Sequence, residues 1–252
     1  MADYGLIGYP LSHSFSASFF KEKFKHLDLS LSYEAFPIPS IDSFPSLLKT
    51  QKTLKGLNVT LPYKKDIINS LDFIHKEALA IGAVNCIKIE RQQCFGFNTD
   101  AWGFQQSLKS LLKPQHNQAI IFGDGGAAQA VKYALHSLQI PYQVVSRKGA
   151  FTFEQVNAQH IESHLILIHT TPLGMYPHIH TYPDIPYEAI TANHLVVDLV
   201  YNPQQSLLLQ KAALQGAQCL NGMPMLIAQA EKSWEIWQNE LPLSEMLAVG
   251  SI

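Results

Sequence analysis

An apolar run that ends in a cluster of glycines places the strongest constraint on what this chain can fold into. The run is Ala-Ile-Ile-Phe at 119–122, and it is followed by Gly123, Asp124, Gly125, Gly126 and Ala127. A short apolar segment, several glycines and then small residues predict a buried strand, a tight turn and the start of a helix.

Such a turn is typical of a nucleotide-binding loop, because glycine lets the backbone approach a pyrophosphate while the first N–H groups of the helix face the phosphates. Ala128 stands at the last glycine position of G-x-G-x-x-G, where alanine is also accepted. A purely structural turn between strand and helix gives the same pattern. Asp124 counts against a cofactor loop, since its carboxylate would repel a pyrophosphate unless it pointed outward.

Composition excludes several classes of protein. The 252 residues suffice for one large or two small domains, and 47% of them are hydrophobic. A net charge of -2 provides no broad basic field, so we expect neither a nucleic-acid partner nor a membrane partner. Cys86, Cys94 and Cys219 show no C-x-x-C spacing, which favours a reducing, cytoplasmic location.

Strand-like and helix-like segments alternate along the chain, which predicts an α/β fold. The predicted helices are 17–27, 44–52, 66–81, 100–112 and 223–237. The predicted strands are 5–8, 33–38, 57–61, 84–90, 95–99, 119–122, 142–146, 165–169, 195–200 and 217–220. The polar, proline-bearing stretch 113–118 is a candidate domain boundary, and the helix from Asp100 can belong to either side.

Polar residues with the chemistry of a binding site follow two of the N-terminal strands. Ser14 and Ser16 come after a glycine and proline turn, where their hydroxyls can bind a carboxylate or a polyol, or simply cap a helix. Asn58 and Thr60 interrupt an apolar strand, and Lys64 lies just past its end. The carboxyl end of a parallel strand is where open α/β sheets bind ligands.

A lysine in that position can donate a proton if a carboxylate orients it, although a solvated lysine is the simpler explanation. Asp100 is a candidate for that carboxylate and is equally a natural helix N-cap. Asn85 adds a further polar residue beside a strand.

The residues after the second strand of the nucleotide-binding region indicate the cofactor. Folds that bind NAD usually carry an acidic residue there for the ribose 2′-OH, whereas this chain has Ser146, Arg147 and Lys148. Two cations suit a 2′-phosphate, which favours NADP.

Other candidate sites are weaker. His160 with His164, and His178 with His180, have spacings seen in metal ligands, but no cysteine or carboxylate set accompanies them, so we expect no metal. Trp234 and Trp237 at helical spacing indicate packing rather than a ligand platform.

These motifs, in this order, resemble the shikimate dehydrogenase family over nearly the whole chain. The matching blocks are G-x-P-L-x-H-S-x-S at 8–16, N-V-T-x-P-x-K at 58–64, G-A-V-N at 82–85, G-x-N-T-D at 96–100, the glycine turn, T-P-x-G-M at 171–175, D-L-V-Y-N-P at 198–203 and N-G-x-x-M-L-x-x-Q at 221–229. This chain departs from the family where Asp124 replaces a small residue, Gln129 a nearby arginine, Cys86 a threonine and His169 an asparagine.

The resemblance implies a Rossmann-type nucleotide-binding domain over 101–221 and an α/β substrate-binding domain over 1–100 completed by 222–252, with a cleft between them. It further implies reversible reduction of 3-dehydroshikimate to shikimate by NADPH, a step of aromatic amino-acid biosynthesis, by a monomer or homodimer. An NAD-preferring quinate/shikimate dehydrogenase and an inactive nucleotide-sensing protein are the alternatives.

The resemblance also implies residue roles. Lys64 would be the acid/base residue with Asp100 as its partner. The substrate would be held by Ser14, Ser16, Asn58, Thr60, Lys64, Asn85, Asp100, Tyr201 and Gln229. The cofactor would be held by Gly123, Asp124, Gly125, Gly126, Ala127, Ser146, Arg147, Lys148, Leu199, Gly222 and Met225.

Overall fold

The computed structural model describes residues 2–11 and 15–251. Within this range the chain forms two compact units. The first comprises the described residues up to Thr99 together with those from Gln229 onward, and the second is Asp100–Ala228. The stretch 113–118 lies inside the second unit, and Gln229 is the first residue of the C-terminal part of the first unit. Within the described residues 2–11 and 15–251, no helix is both long enough and apolar enough to span a bilayer.

Strands and helices alternate through both units. Up to Thr99 the elements are β1 (Tyr4–Gly8), α1 (Phe15–His26), β2 (Tyr33–Pro37), α2 (Phe44–Thr50), β3 (Gly56–Val59), β4 (Phe73–His75), α3 (Lys76–Ile81), β5 (Cys86–Glu90) and β6 (Gln93–Phe97). The second unit contains α4 (Asp100–Leu108), β7 (Ala119–Phe122), α5 (Gly126–Ser137), β8 (Tyr142–Val145), α6 (Ala158–Ser163), β9 (Ile166–His169), β10 (Leu195–Asp198), α7 (Leu207–Leu214) and β11 (Gln218–Leu220). Helix α8 (Met223–Gln238) returns the chain to the first unit, where β12 (Met246–Ala248) follows.

The first unit is built on a seven-stranded mixed sheet in the order β12-β4-β6-β5-β3-β1-β2. Strands β1 and β3 are buried along their whole length, which explains their almost continuous apolar sequence. Because side chains alternate across a strand, Ile7 and Leu57 point into one core while Tyr4 points into another.

An aromatic cluster fills the second of these cores. Trp237 of α8 is 5% exposed, and its ring stacks on Tyr4 at 4.7 Å between centroids and lies 5.1 Å from Phe20. Its indole N–H donates to the Ile87 carbonyl at 3.0 Å, so the one polar atom of the ring is satisfied. Trp234 contacts Tyr4 from the same helix at 5.8 Å. The prediction that this tryptophan pair serves packing is confirmed.

The second unit is a five-stranded parallel sheet in the order β11-β10-β9-β7-β8. The chain moves from β7 to β8 on one side and then crosses to β9 on the other side. The strand order therefore reverses at β7, and ligands of open α/β sheets bind at the carboxyl ends of the strands at such a reversal. The predicted α/β, Rossmann-like fold class is confirmed.

The helix predicted over 66–81 is wrong. The segment forms a 3-10 helix over Asp66–Ser70, then β4, and only then α3. Strand β4 pairs with β6 and with β12, and these ladder hydrogen bonds outweigh the local helical periodicity. The imidazole of His75 accepts from the Glu77 N–H and so begins α3 after the strand.

Helices α6 and α7 and strand β12 were not predicted. The sequence of α6 is polar, and α6 is only six residues long, so it has no hydrophobic periodicity to detect. Helix α7 is only eight residues long, and its buried residues Leu208, Leu209 and Ala212 lie at helical spacing, but the exposed Leu214 adds an apolar residue on another face and obscures the pattern. Strand β12 is three residues long and exists through its pairing with β4.

We predict that Trp237→Ala lowers the free energy of unfolding by about 3–5 kcal/mol, because a fully buried indole leaves a cavity among packed aromatic rings. Trp237→Phe keeps a ring but leaves the Ile87 carbonyl without its donor, so it should cost about 1–3 kcal/mol. Urea unfolding followed by circular dichroism measures both, and Trp234→Ala is the control on the less buried ring. Equal losses for the alanine variants at 234 and 237 would contradict the central role of Trp237.

Candidate functional site

Each unit carries one candidate site, and we describe the two separately. In the first unit a group of buried polar side chains lies beside the ends of β3 and β6. We call this group the polar network. Its members are Asn58, Asn85, Thr99, Gln229 and Ser233, and each is no more than 7% exposed.

Asn85 holds the centre of the polar network. Its side-chain oxygen accepts from the Thr99 backbone N–H at 2.7 Å, and its amide nitrogen donates to the Thr99 hydroxyl at 2.9 Å. The same nitrogen lies 3.4 Å from the side-chain oxygen of Gln229. Both atoms of the Asn85 amide are therefore fixed in orientation by groups from distant parts of the sequence.

Asn58 connects the polar network to the N-terminal strands. Its amide nitrogen donates to the Ser233 hydroxyl at 2.9 Å and to the Asn85 carbonyl at 3.3 Å, and its oxygen accepts from the Tyr33 hydroxyl at 2.9 Å. Both N–H groups of the amide are thus engaged inside the protein. Burial raises the pKa of Tyr33 well above its usual range, although a hydrogen bond from Ser16 opposes that shift.

Ser16 is thereby placed next to the polar network through Tyr33. Ser14, its predicted partner in binding a carboxylate, lies outside the described residues. Thr60 follows β3 directly. Its backbone N–H donates to the Ile7 carbonyl at 2.9 Å, which joins the end of β3 to β1.

Lys64 lies in the turn after β3. Its carbonyl accepts from the Val84 N–H at 2.7 Å, which places the turn beside the residue that precedes Asn85. Its side chain is half-buried, whereas the neighbouring Lys65 is exposed. The two lysines therefore differ in burial, and the backbone of Lys64 is bonded to Val84, the residue before Asn85.

Sequence reasoning missed three members of this arrangement: Tyr33, Thr99 and Ser233. Thr99 lies inside the family motif at 96–100, but no role was assigned to Thr99 itself. Ser233 follows Gln229 by four residues and so lies on the same face of α8. Tyr33 carried no signal in the sequence.

In the second unit the residues at 123–126, which we call the glycine turn, connect β7 to α5. Gly123 has φ +118°, and a Cβ there would lie 2.5 Å from the Thr170 hydroxyl oxygen, so only glycine fits. Gly125 caps α5, which begins at Gly126, and Ala127 lies in the first helical turn. Asp124 and Gly125 are exposed, and therefore the turn presents its backbone to solvent at the carboxyl end of β7.

Asp124 bends back toward α5. Its Oδ1 accepts from the Lys132 ammonium group and, at 3.1 Å, from the Gln129 side chain. The carboxylate that counted against a cofactor loop is thus paired with side chains of α5.

The residues that follow β8 form an exposed turn. The Ser146 N–H donates to the Phe151 carbonyl at 3.0 Å and closes this turn, while Arg147 and Lys148 project from it as exposed side chains. Two cations therefore stand free of the core at the carboxyl end of the strand next to β7.

A buried histidine and aspartate join the carboxyl ends of β9 and β10. His169 Nδ1 donates to Asp198 Oδ1 at 2.9 Å, and both side chains have no exposed surface. Asp198 also accepts from the Ser206 hydroxyl and, at 3.0 Å, from the Val200 N–H. On the opposite side of the ring, His169 Nε2 shares a hydrogen bond with the Thr171 hydroxyl.

Leu199, Gly222 and Met225 lie near the end of β10. The Gly222 N–H donates to the Val200 carbonyl at 3.1 Å, and a Cβ on Gly222 would lie 2.1 Å from the Leu199 carbonyl oxygen. Met225 packs in the same core as Leu199. Tyr201, two residues after Leu199, is half-buried. Asp100, the first residue of α4, is 5% exposed and belongs to this unit.

Comparisons with known proteins agree with this architecture. Residues 6–87 match the model of the shikimate dehydrogenase substrate binding domain. A Clostridium beijerinckii protein named shikimate dehydrogenase (NADP(+)) is 38% identical over 264 residues, with 99% of this chain and 96% of that protein covered. A Methanococcus aeolicus protein of the same name is 34% identical, with 94% and 92% covered.

The fold is similar to that of a Thermus thermophilus shikimate 5-dehydrogenase crystallised with NADP(H) and shikimate. The TM-score is 0.85 and the identity is 31%, with 96% of this chain and 95% of that chain covered. Identity of this extent over nearly the full length of both chains establishes descent from one family. The chain belongs to the shikimate dehydrogenase family.

Proposed function

We propose that this protein catalyses the reversible, NADPH-dependent reduction of 3-dehydroshikimate to shikimate. The observation that carries this proposal is the polar network of the first unit, whose amide and hydroxyl groups are held rigidly beside a half-buried lysine. A ring that bears several hydroxyl groups and a carboxylate needs such preoriented polar groups for recognition. The substrate is thus a small molecule.

The residues of the second unit fit NADP. The glycine turn offers exposed backbone at the start of α5 for a pyrophosphate, and Arg147 and Lys148 are exposed where a 2′-phosphate would need cations. Leu199, Gly222 and Met225 offer an apolar surface for the nicotinamide end, and Ser146 holds the turn that carries the cations. When bound, the nicotinamide supplies the hydride.

Lys64 is proposed as the acid that protonates the developing alkoxide. An ammonium group carries N–H donors and can give up a proton to an adjacent oxygen as negative charge develops there. Asp100 is proposed as the second catalytic residue, the carboxylate partner of Lys64. In the oxidative direction the same lysine takes the proton back.

Ser14 and Ser16 are proposed to bind the substrate carboxylate. Thr60, Asn85, Asp100 and Gln229 are proposed to hold the ring hydroxyls and the carbonyl side, with Tyr201 beside the ring. Asn58 is proposed as a further substrate contact, and its amide nitrogen also donates to the Ser233 hydroxyl and to the Asn85 carbonyl within the polar network.

Location and assembly are also proposed. Cys86, Cys94 and Cys219 carry thiols rather than disulfides, as is usual in a reducing compartment, and we propose a cytoplasmic location. Monomer and homodimer are both compatible with the proposed chemistry.

The direct test is turnover. Purified protein should oxidise shikimate with NADP⁺, measured as the appearance of reduced-nicotinamide absorbance, well above the rates with NAD⁺ or with quinate. Faster turnover with NAD⁺ would favour an NAD-preferring quinate/shikimate dehydrogenase. No turnover with any pair, together with measurable NADP⁺ binding, would favour a nucleotide-sensing protein.

Lys64→Ala should lower kcat by about 10²- to 10⁴-fold, because a positioned acid/base is lost from the reacting oxygen. Affinity for NADP⁺, measured by fluorescence titration, should not change, since Lys64 and the glycine turn belong to different units. Lys65→Ala is the matched control and should retain parental kcat within about twofold, as expected for an exposed side chain. A Lys64→Ala variant as active as Lys65→Ala would refute the proposed mechanism.

Arg147→Ala should lower kcat/KM for NADP⁺ by about 10- to 100-fold, because charge-assisted hydrogen bonds to a phosphate contribute about 1.5–3 kcal/mol. The value for NAD⁺, which lacks the 2′-phosphate, should change by less than about threefold. Arg147→Lys retains the charge without the bidentate geometry and should fall between the two. Parallel loss with both cofactors would show that Arg147 does not recognise the 2′-phosphate.

A further inference from the structure

A carboxylate occupies the exposed part of the glycine turn, where an anion is expected to bind. The side chain of Asp124 is 47% exposed, and the residue lies between Gly123 and Gly125 at the carboxyl end of β7. The pyrophosphate of a dinucleotide carries two negative charges at the start of such a helix. An uncompensated carboxylate in the turn would repel it and weaken binding.

The negative charge of Asp124 is compensated by a side chain about two turns into α5. Lys132 of α5 donates to Asp124 Oδ1 and forms an ion pair with this carboxylate. Gln129 donates to the same oxygen at 3.1 Å. Residues 129 and 132 lie three apart on one face of α5, so both reach the same carboxylate oxygen.

This pairing has an electrostatic consequence for the turn. The Lys132 side chain is 21% exposed, so much of its stem packs against the protein while its charge meets Asp124. With the pair intact the turn is close to neutral, and the backbone N–H groups at the start of α5 dominate the local field. Without Lys132 the turn would carry a net charge of about -1 at the anion site.

We propose that Lys132 sets the affinity of the glycine turn for the dinucleotide, and that it does so through Asp124 rather than by touching the phosphates. This inference rests on the proposed function, because it requires that the turn binds NADP. Lys132 is then a positioning residue: it draws the carboxylate onto α5 and cancels its charge.

A double-mutant cycle tests this assignment on the full chain. Lys132→Ala should weaken NADP⁺ binding by about five- to tenfold at low salt, as expected when a like charge is exposed to an anion. In the Asp124→Asn background the same substitution should change the Kd by less than about twofold, because the charge that Lys132 cancels is already gone. The double variant should regain most of the affinity lost in Lys132→Ala.

Two further measurements separate an electrostatic role from a structural one. Raising NaCl from about 0.05 to 0.5 M should shrink the loss in Lys132→Ala, since the Debye length falls several-fold. The Tm of each variant should stay within about 3 °C of the parent, as expected for an exposed ion pair. Lys211→Ala removes a positive charge from the same unit, where Lys211 lies over the ring of Tyr182 at 4.6 Å, and should leave the Kd within about twofold.

The outcomes are distinct. An equal loss of NADP⁺ affinity from Lys132→Ala in the parent and in the Asp124→Asn background would mean that Lys132 contacts the phosphates itself. No loss of affinity from Lys132→Ala would mean that Asp124 does not act on the ligand. Either result would overturn the inference. A parent protein that does not bind NADP⁺ at all would overturn the proposed function, and the inference with it.

Discussion

The first unit depends on the satisfaction of buried polar groups around Asn85. Burying an amide without partners costs about 1–3 kcal/mol by mutational measures, so each atom of the polar network needs a partner at hydrogen-bond distance. The backbone of Asn85 meets this need by pairing with Val59 and Phe97, and its side chain does so by pairing with Thr99. The ends of β3 and β6 are thereby fixed relative to one another, and the turn that carries Lys64 is held beside them through Val84.

The second unit meets the same requirement with charged groups. Asp198 is completely buried, yet it accepts hydrogen bonds from His169, Ser206 and the Val200 N–H. A buried carboxylate with three donors is held in one orientation, and removing any one donor would leave part of a buried charge unmatched. The carboxyl ends of β9 and β10 are therefore held together next to β7, where the strand order reverses. On the opposite side of the His169 ring, Nε2 fixes the orientation of the Thr171 hydroxyl.

The parts of the fold that sequence could predict are those fixed by local pattern. The glycine turn followed from an apolar run and from residues that tolerate positive φ, and the order of strands and helices followed from alternating hydrophobic segments. The segment 66–81 was predicted as one helix because helical periodicity and a three-residue strand share the same apolar positions, and only the partners of β4 decide between them. Tyr33 and Ser233 escaped notice for a related reason. Their importance comes from Asn58, which is separated from them by 25 and 175 residues and which no local pattern connects to them.

The two candidate sites respond differently to substitution because their polar groups are buried to different degrees. In the polar network the amide nitrogens of Asn58 and Asn85 donate to groups inside the protein, so a change at one residue leaves its neighbours unsatisfied and its effect spreads through several strands. In the glycine turn Asp124 is half-exposed, and water can solvate whatever a substitution leaves behind. A change there alters the charge presented to a ligand with little effect on folding. The first unit can therefore hold its geometry rigidly, while the second can change its affinity for an anion through a single surface charge.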